Sequence, residues 1–194
     1  WSGAAASDGT RAVVFGGVYH TTISHYVLFS TPMSSVKFGD LGFSTCWNAA
    51  VSDGTKAVVD GGHSNAYNQE YRYVGLATPS NAIFFGRMQV SRGWTGAASN
   101  GVHGLWAGGH NASGSVNSVE RLTLASPGNS SQFGNLTYSR HTADPVANDT
   151  TMVAAGGNTY SRVLDYLSFA NGGSATKFGD AAEGIRYSAY FSGN

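Results

Sequence analysis

The chain has 194 residues, enough for one domain with a sizeable core, and 41% of them are hydrophobic. Charged residues make up only 11%, and the 27 glycines are about twice the usual share of roughly 7%, a balance that favours turn-rich β structure. Eleven basic side chains match eleven acidic ones, which leaves no field to gather phosphates and makes nucleic acid an unexpected partner; no apolar run approaches the ~20 residues of a bilayer helix.

From the N-terminus, Gly3-Ala4-Ala5-Ala6 reads as a strand of small residues running into Ser7-Asp8-Gly9, a turn signal because Asp-Gly tolerates the positive φ of a tight hairpin. The apolar run Ala12-Val13-Val14-Phe15 follows and ends at Gly16-Gly17. Its lack of alternation predicts a strand buried on both faces. A polar segment, Val18 to Ser24, leads to an alternating strand with Val27 and Phe29 on one face. After Pro32, the pair Phe38-Gly39 opens a fourth strand that continues through Ser44. No stretch of the chain carries a helical period with caps.

The same order then repeats. Gly-Gly closes further apolar runs at Gly61-Gly62, Gly108-Gly109 and Gly156-Gly157, so the first glycines stand 45, 47 and 48 residues apart (Gly16 to Gly61, Gly61 to Gly108, Gly108 to Gly156). Phe-Gly recurs at Phe85-Gly86, Phe133-Gly134 and Phe178-Gly179, and from Gly39, Gly86 and Gly134 the next Gly-Gly begins 22 residues later. Length drifts only in the loop after Gly-Gly, as expected of a scaffold with one variable face. The units run approximately over 1–46, 47–93, 94–140 and 141–187, with 188–194 a partial fifth first strand. A unit of this size cannot offset its backbone entropy by burying its own apolar side chains, so the units must stack. Four-stranded units at this period predict an all-β fold in a single domain, residues 1–194. The expected architecture is a β-propeller of four ~47-residue four-stranded blades, or an arc of a larger ring, with the small first strands nearest the axis.

The Gly-Gly doublet after an apolar strand resembles kelch-type β-propellers. The fuller pattern of Phe-Gly-Asp-Leu, a polar strand, a Ser-Asp-Gly turn, a second strand to Gly-Gly and a Tyr-Val strand is similar to kelch-like repeats in structural proteins of tailed, especially marine, bacteriophages. The resemblance spans Trp1 to about Tyr187. It implies a non-enzymatic structural or recognition module of a phage virion, in a tail, fibre or decoration protein. Such a module would sit on the virion or outside cells, with other virion subunits or a cell-surface glycan or protein as partners, or further copies of itself. The sequence departs from the pattern in one respect. The Trp expected in the later kelch strands is missing, and Trp1, Trp47 and Trp94 head the first strands instead, with His141 and Tyr187 near the equivalent places.

The variable loops, Val18 to Ser24, His63 to Arg72, His110 to Ser118 and Asn158 to Val163, hold the candidate binding residues Tyr19, His63, Asn65, Tyr67, Tyr71, His110, Asn158 and Tyr160. Flat aromatic faces beside Asn, His and Ser suit protein surfaces and sugars alike, so a free-standing carbohydrate-binding lectin is the alternative function. His63 and His110 follow their Gly-Gly pairs, but Val18 and Asn158 fill that position in the other units, so no ligand ring repeats and no metal is expected. There is no Gly-x-Ser-x-Gly elbow and no phosphate loop, and neither catalytic residues nor a cofactor are expected. The single cysteine, Cys46, excludes an internal disulfide and reads as a buried small hydrophobe. Arg92, Arg140 and Arg186 end their fourth strands at similar places. They suit either a carboxylate-binding surface or bridges to backbone carbonyls and to carboxylates such as Asp53 or Asp149.

Overall fold

A computed structural model describes residues 3–17, 21–158 and 160–185; Tyr19, Arg186 and the partial fifth strand expected at 188–194 lie outside them. All regular elements among the described residues are strands, and each sequence unit supplies one four-stranded antiparallel sheet. The first sheet is β1 (Gly3–Ser7), β2 (Arg11–Gly16), β3 (Ile23–Leu28) and β4 (Val36–Asp40), adjacent in chain order. The second is β5 (Ala50–Ser52), β6 (Lys56–Asp60), β7 (Glu70–Gly75) and β8 (Ile83–Arg87). The third runs β9 (Gly96–Ser99), β10 (His103–Ala107), β13 (Ser118–Thr123) and β14 (Ser131–Asn135), with a small hairpin, β11 (His110–Asn111) and β12 (Gly114–Ser115), inserted in its variable loop. The fourth is β15 (Asp144–Ala147), β16 (Thr151–Ala155), β17 (Ser161–Ser168) and β18 (Thr176–Ile185). The first-to-second-strand turns form as the Asp-Gly signal requires: Asp8 Oδ1 accepts from the amides of Thr10 and Arg11, both at 2.8 Å, and Gly9 has φ 81°.

The constancy of Phe-Gly has a structural cause. In every sheet the third and fourth strands slip register at the same point. Ser24 opposes Gly39 while His25 opposes Lys37; Tyr71 opposes Gly86 while Arg72 opposes Phe84. Val119 and Glu120 repeat the slip against Gly134 and Gln132, as do Leu164 and Asp165 against Gly179 and Lys177. The residue skipped is always the Phe, so it is the extra residue of a β-bulge, and a bulge re-aims its side chain. Phe38, Phe85 and Phe133 accordingly leave their own ladder and enter the core formed with the following sheet, at 3%, 1% and 7% exposure.

The glycine beside each of these phenylalanines lets the next sheet's loop close in. A Cβ on Gly39 would lie 1.9 Å from the Ser80 carbonyl oxygen, and one on Gly86 or Gly134 would lie 1.7 Å from that of Gly128 or Gly173. Backbone hydrogen bonds finish each junction: Ala82 N donates to Asp40 O at 2.8 Å, Ser130 N to Arg87 O at 3.0 Å, and Ala175 N to Asn135 O at 2.6 Å. Asn81 and Asn129 return the contact by accepting from the amides of Asp40 and Arg87 through their side chains, each at 3.0 Å.

The two outermost sheets show what happens without a neighbour. In β6 and β10 the apolar run is buried on both faces, as its sequence predicts, but in β2 only Val13 and Phe15 are, and Val14 is 44% exposed. Continuous apolar character does not bury a strand whose second face has no sheet against it. Phe178, the last bulged phenylalanine, is 65% exposed, and a Cβ on Gly179 would meet nothing within 4 Å. Three cores therefore sit between consecutive sheets, and none joins the fourth sheet to the first among the described residues. The small first strands β1, β5, β9 and β15 face one central cavity of about 300 Å³, lined by residues such as Ala5, Ala50, Ala97 and Ala147.

Gly86→Ala is expected to destabilise the protein by about 1–3 kcal/mol through overpacking against Gly128. Gly179→Ala, the same change at the same place in the repeat, should stay within about 0.5 kcal/mol of the parent. Urea denaturation of the two variants makes the comparison, and equal losses would show that the glycine serves its own sheet rather than the junction.

Candidate functional site

Functional geometry gathers where the inner strands begin. The segments Thr45-Cys46-Trp47, Arg92-Gly93-Trp94 and Arg140-His141-Thr142 lead into the first strands of the second, third and fourth sheets. Trp47 and Trp94 both have φ 51° and Thr142 has φ 56°, a left-handed conformation that is a real outlier for a bulky or β-branched residue and costs of order 1–3 kcal/mol. Bonds from one sheet to the next hold it in place: Trp94 N donates to Trp47 O at 2.9 Å and Thr142 N to Trp94 O at 2.8 Å. The backbone counterpart of the two tryptophans in the fourth unit is thus Thr142, and His141 stands one residue earlier, in the place of Cys46 and Gly93.

The Gly-Gly doublets turn the chain back against these segments. Gly62 and Gly109 have φ 53° and 111°, and a Cβ on them would lie 2.5 Å from Cys46 O and 2.9 Å from Gly93 O. The next residue is then tied down in both directions. His63 N donates to Cys46 O at 2.9 Å and Cys46 N to His63 O at 3.1 Å; His110 and Gly93 exchange the same pair at 2.8 and 3.0 Å. In the fourth unit a side chain takes over, with the His141 amide donating to Asn158 Oδ1 at 3.4 Å.

Rings from three sheets meet as a result. The indoles of Trp47 and Trp94 stack with centroids 4.4 Å apart, and His63 stacks on Trp94 at 5.0 Å. Tyr67 packs on His63 at 4.6 Å, and His110 and His141 meet edge to face at 5.2 Å. Hydroxyls orient the imidazoles: Tyr67 shares a 2.7 Å hydrogen bond with His110 Nδ1, and Ser115 a 2.9 Å one with His141 Nδ1. Burial, helped by the nearby His110, holds the His63 pKa below its ordinary value, and its Nδ1 is buried without a hydrogen-bond partner among the described residues. Trp47, Trp94, His110 and His141 line a cavity of about 390 Å³, the size of a small-ligand pocket.

Of the residues singled out in the sequence, His63, Tyr67 and His110 join this cluster, and Asn158 supports it through the His141 backbone. Asn65 is exposed on a separate polar groove with Tyr67, Glu70 and Arg87. Tyr160 is 65% exposed, and Tyr19 lies outside the described residues. Tyr71 is a correction. Rather than a loop residue it belongs to β7, is fully buried, and packs on Trp106 with ring centroids 4.6 Å apart. The loop ends one residue before it because Glu70 already pairs with Arg87. Trp47, Trp94 and His141 are the additions, and their exact 47-residue spacing was the available signal. Among the described residues, no three His, Cys, Asp or Glu side chains come together as a metal site.

The arginines expected to end the fourth strands lie past them, since β8 stops at Arg87 and β14 at Asn135; Arg92 and Arg140 stand in the segments that lead into the next sheet and serve the frame. Arg92 pairs with Glu120 at 3.2 Å and Arg140 with Asp165 at 2.7 Å, all four side chains at 0–1% exposure. Other donors reach backbone carbonyls, Trp106 O from Arg92 and Gly156 and Ala154 O from Arg140, while Nε of both arginines makes no hydrogen bond to a described residue. The carboxylate partners are thus Glu120 and Asp165, supplied by the third strand of the following sheet, and not Asp53 or Asp149. Asp53 pairs instead with Lys56 within its own turn. Cys46 is fully buried and donates to His63 O at 2.8 Å.

No family model matches the sequence, and no curated protein matches it. A solved structure, that of YjhT, is similar over 97% of this chain and 73% of its own length, with a TM-score of 0.80 at 13% identity. At that identity the likeness speaks for the fold.

Asp60 links the second sheet to the segment under Trp94. It is fully buried, accepts from Ala49 N at 3.0 Å and Gly62 N at 3.1 Å, and takes the Thr95 hydroxyl. Burial pushes its pKa from 3.8 up to about 6 despite those donors and the nearby Arg92. A raised carboxyl favours the protonated fold, so this contribution is full below about pH 4 and is lost as pH rises through about 6. Asp60→Asn keeps the hydrogen bonds and removes the charge. Relative to the parent it should gain about 3 kcal/mol between pH 4 and pH 7 in urea titrations, whereas a difference that is flat with pH would mean the carboxyl is ionised throughout.

Proposed function

We propose that the chain is a non-enzymatic recognition module, built as an arc of a β-propeller, whose binding point is the indole and imidazole cavity at the start of the inner strands. One observation carries this reading. Successive units bring a left-handed residue (Trp47, Trp94, Thr142) and a residue after Gly-Gly (His63, His110, Asn158) to the same end of the array. Glycine at Trp47 or Trp94 would be free of the backbone strain, so keeping indoles there favours use over stability. The exposed outer faces of the first and fourth sheets, with Val14 and Phe178 uncovered, support an arc of a larger ring over a closed ring of four. The resemblance of the repeats to kelch-like phage proteins supports placement on a virion or outside cells, with other virion subunits or a cell-surface glycan or protein as partner. A turnover role has less support, because hydroxyls already engage Nδ1 of both His110 and His141.

An array of cell-surface polysaccharides and proteins, probed with the purified chain, tests the location. Capture is expected to weaken at least about tenfold with Trp94→Gly and to stay within about twofold with Asn65→Ala or Tyr160→Ala. The opposite pattern would move the binding point to the loops.

A further inference from the structure

We propose that the cavity lined by Trp47, Trp94, His110 and His141 takes a neutral pyranose, the apolar face of the sugar lying on the indoles and its ring hydroxyls meeting the imidazoles. This deepens the recognition reading above, on which it rests, by naming the ligand's chemical class.

The lining decides the charge of the ligand. The four described lining side chains are all aromatic, and no carboxylate, ammonium or guanidinium is among them. An ammonium ligand would have indole faces to attract it but, among the described lining residues, no carboxylate to balance it. A carboxylate or sulfate ligand would find no lysine or arginine among the described lining residues. The nearest arginines, Arg92 and Arg140, are fully buried and already paired with Glu120 and Asp165. A neutral ligand meets neither penalty.

The arrangement of polar atoms separates a sugar from a plain apolar ring. Stacking at 4.4 Å, which covers one face of each indole with the other, and fixed left-handed backbones hold both rings in place as one rigid block that gives the cavity an apolar wall. His110 stands against this wall, 5.6 Å from Trp94 between ring centroids, with His141 beside it at 5.2 Å. The Tyr67 hydroxyl holds His110 Nδ1, and His110 Nε2 makes no hydrogen bond to a described residue. A flat apolar surface with an oriented imidazole at its edge matches a ring that has C–H bonds on its face and hydroxyls on its rim. A hydrocarbon or simple aromatic ring would cover that imidazole edge without pairing it, which costs affinity. The cavity, about 390 Å³, sits at the lower end of the roughly 300–1,000 Å³ found for small-ligand pockets, in keeping with one or two rings rather than a long chain.

The test titrates the purified chain at about pH 7.5 with methyl β-D-glucopyranoside, methyl α-D-mannopyranoside and methyl β-D-galactopyranoside, following tryptophan emission and calorimetry. Glucuronic acid, choline and benzyl alcohol serve as anionic, cationic and aromatic comparisons. At least one glycoside is expected to bind with a Kd of about 1 mM or tighter, more strongly than all three comparisons. Trp94→Gly should weaken it at least about tenfold, because glycine keeps the left-handed backbone and removes the wall. The variant's melting temperature should stay within about 5 °C of the parent, which separates lost binding from lost folding. If no glycoside binds, if a comparison compound binds better, or if glycoside binding ignores Trp94→Gly, the sugar assignment is overturned. A protein captured on the array through Trp94, with no glycoside bound, would overturn it while leaving the recognition module standing.

Discussion

A phenylalanine pushed out of register at the bulge of each fourth strand is what joins separate sheets into one body. A strand pair can bury one face of a sheet within its own unit, but its other face needs a neighbour, and the bulge supplies the contact by turning Phe38, Phe85 and Phe133 outward into the next core. Full burial of each is worth roughly 1.5–3 kcal/mol. The adjacent glycine lets two backbones approach until carbonyls and amides bond across the junction. Apolar burial and backbone hydrogen bonding are satisfied by the same four or five residues, so this short segment tolerates neither insertion nor a side chain at the glycine, and the spacing around it does not vary.

The same junctions position the cavity. Stacking brings the start of each inner strand next to the start of the one before, and the bonds from Trp94 N to Trp47 O and from Thr142 N to Trp94 O follow from that proximity. Beneath them, Arg92 and Arg140 fill the space with buried ion pairs and add hydrogen bonds to the carbonyls of Trp106 and Gly156. A buried pair of this kind adds little net stability over an apolar filling, but removing one partner strands the other charge. Thr45 occupies the equivalent site in the first unit, and its hydroxyl donates to Gly61 O, so part of the hydrogen-bonding task survives without the charge.

Much of this was legible in the sequence because the repeat writes each structural task several times. Four apolar runs to Gly-Gly and four Phe-Gly pairs located the second and fourth strands, and the invariant 22-residue interval marked the segment in which no loop could vary. Less visible were features that depend on what lies across a junction. Val14 reads like Val59, yet one is exposed and the other buried, because only the second has sheets on both sides. Tyr71 reads as part of a polar loop because its neighbours are Glu and Arg, and only the ladder to β8 shows that it points inward. The tryptophans were conspicuous but looked misplaced against the kelch pattern. What sequence could not reveal is the left-handed backbone that brings Trp47 and Trp94 together, since no composition rule places an indole there.

The uncovered faces of the first and last sheets have a dynamic consequence. In a linear stack each sheet draws cooperativity only from those beside it, so the second and third are held from two directions and the first and fourth from one. Local opening should therefore proceed inward from the termini, with amide protons of β2 and β16 exchanging before those of β6 and β10. Trp94, rooted between the two best-protected sheets, would be among the last surfaces to lose its shape as the array frays.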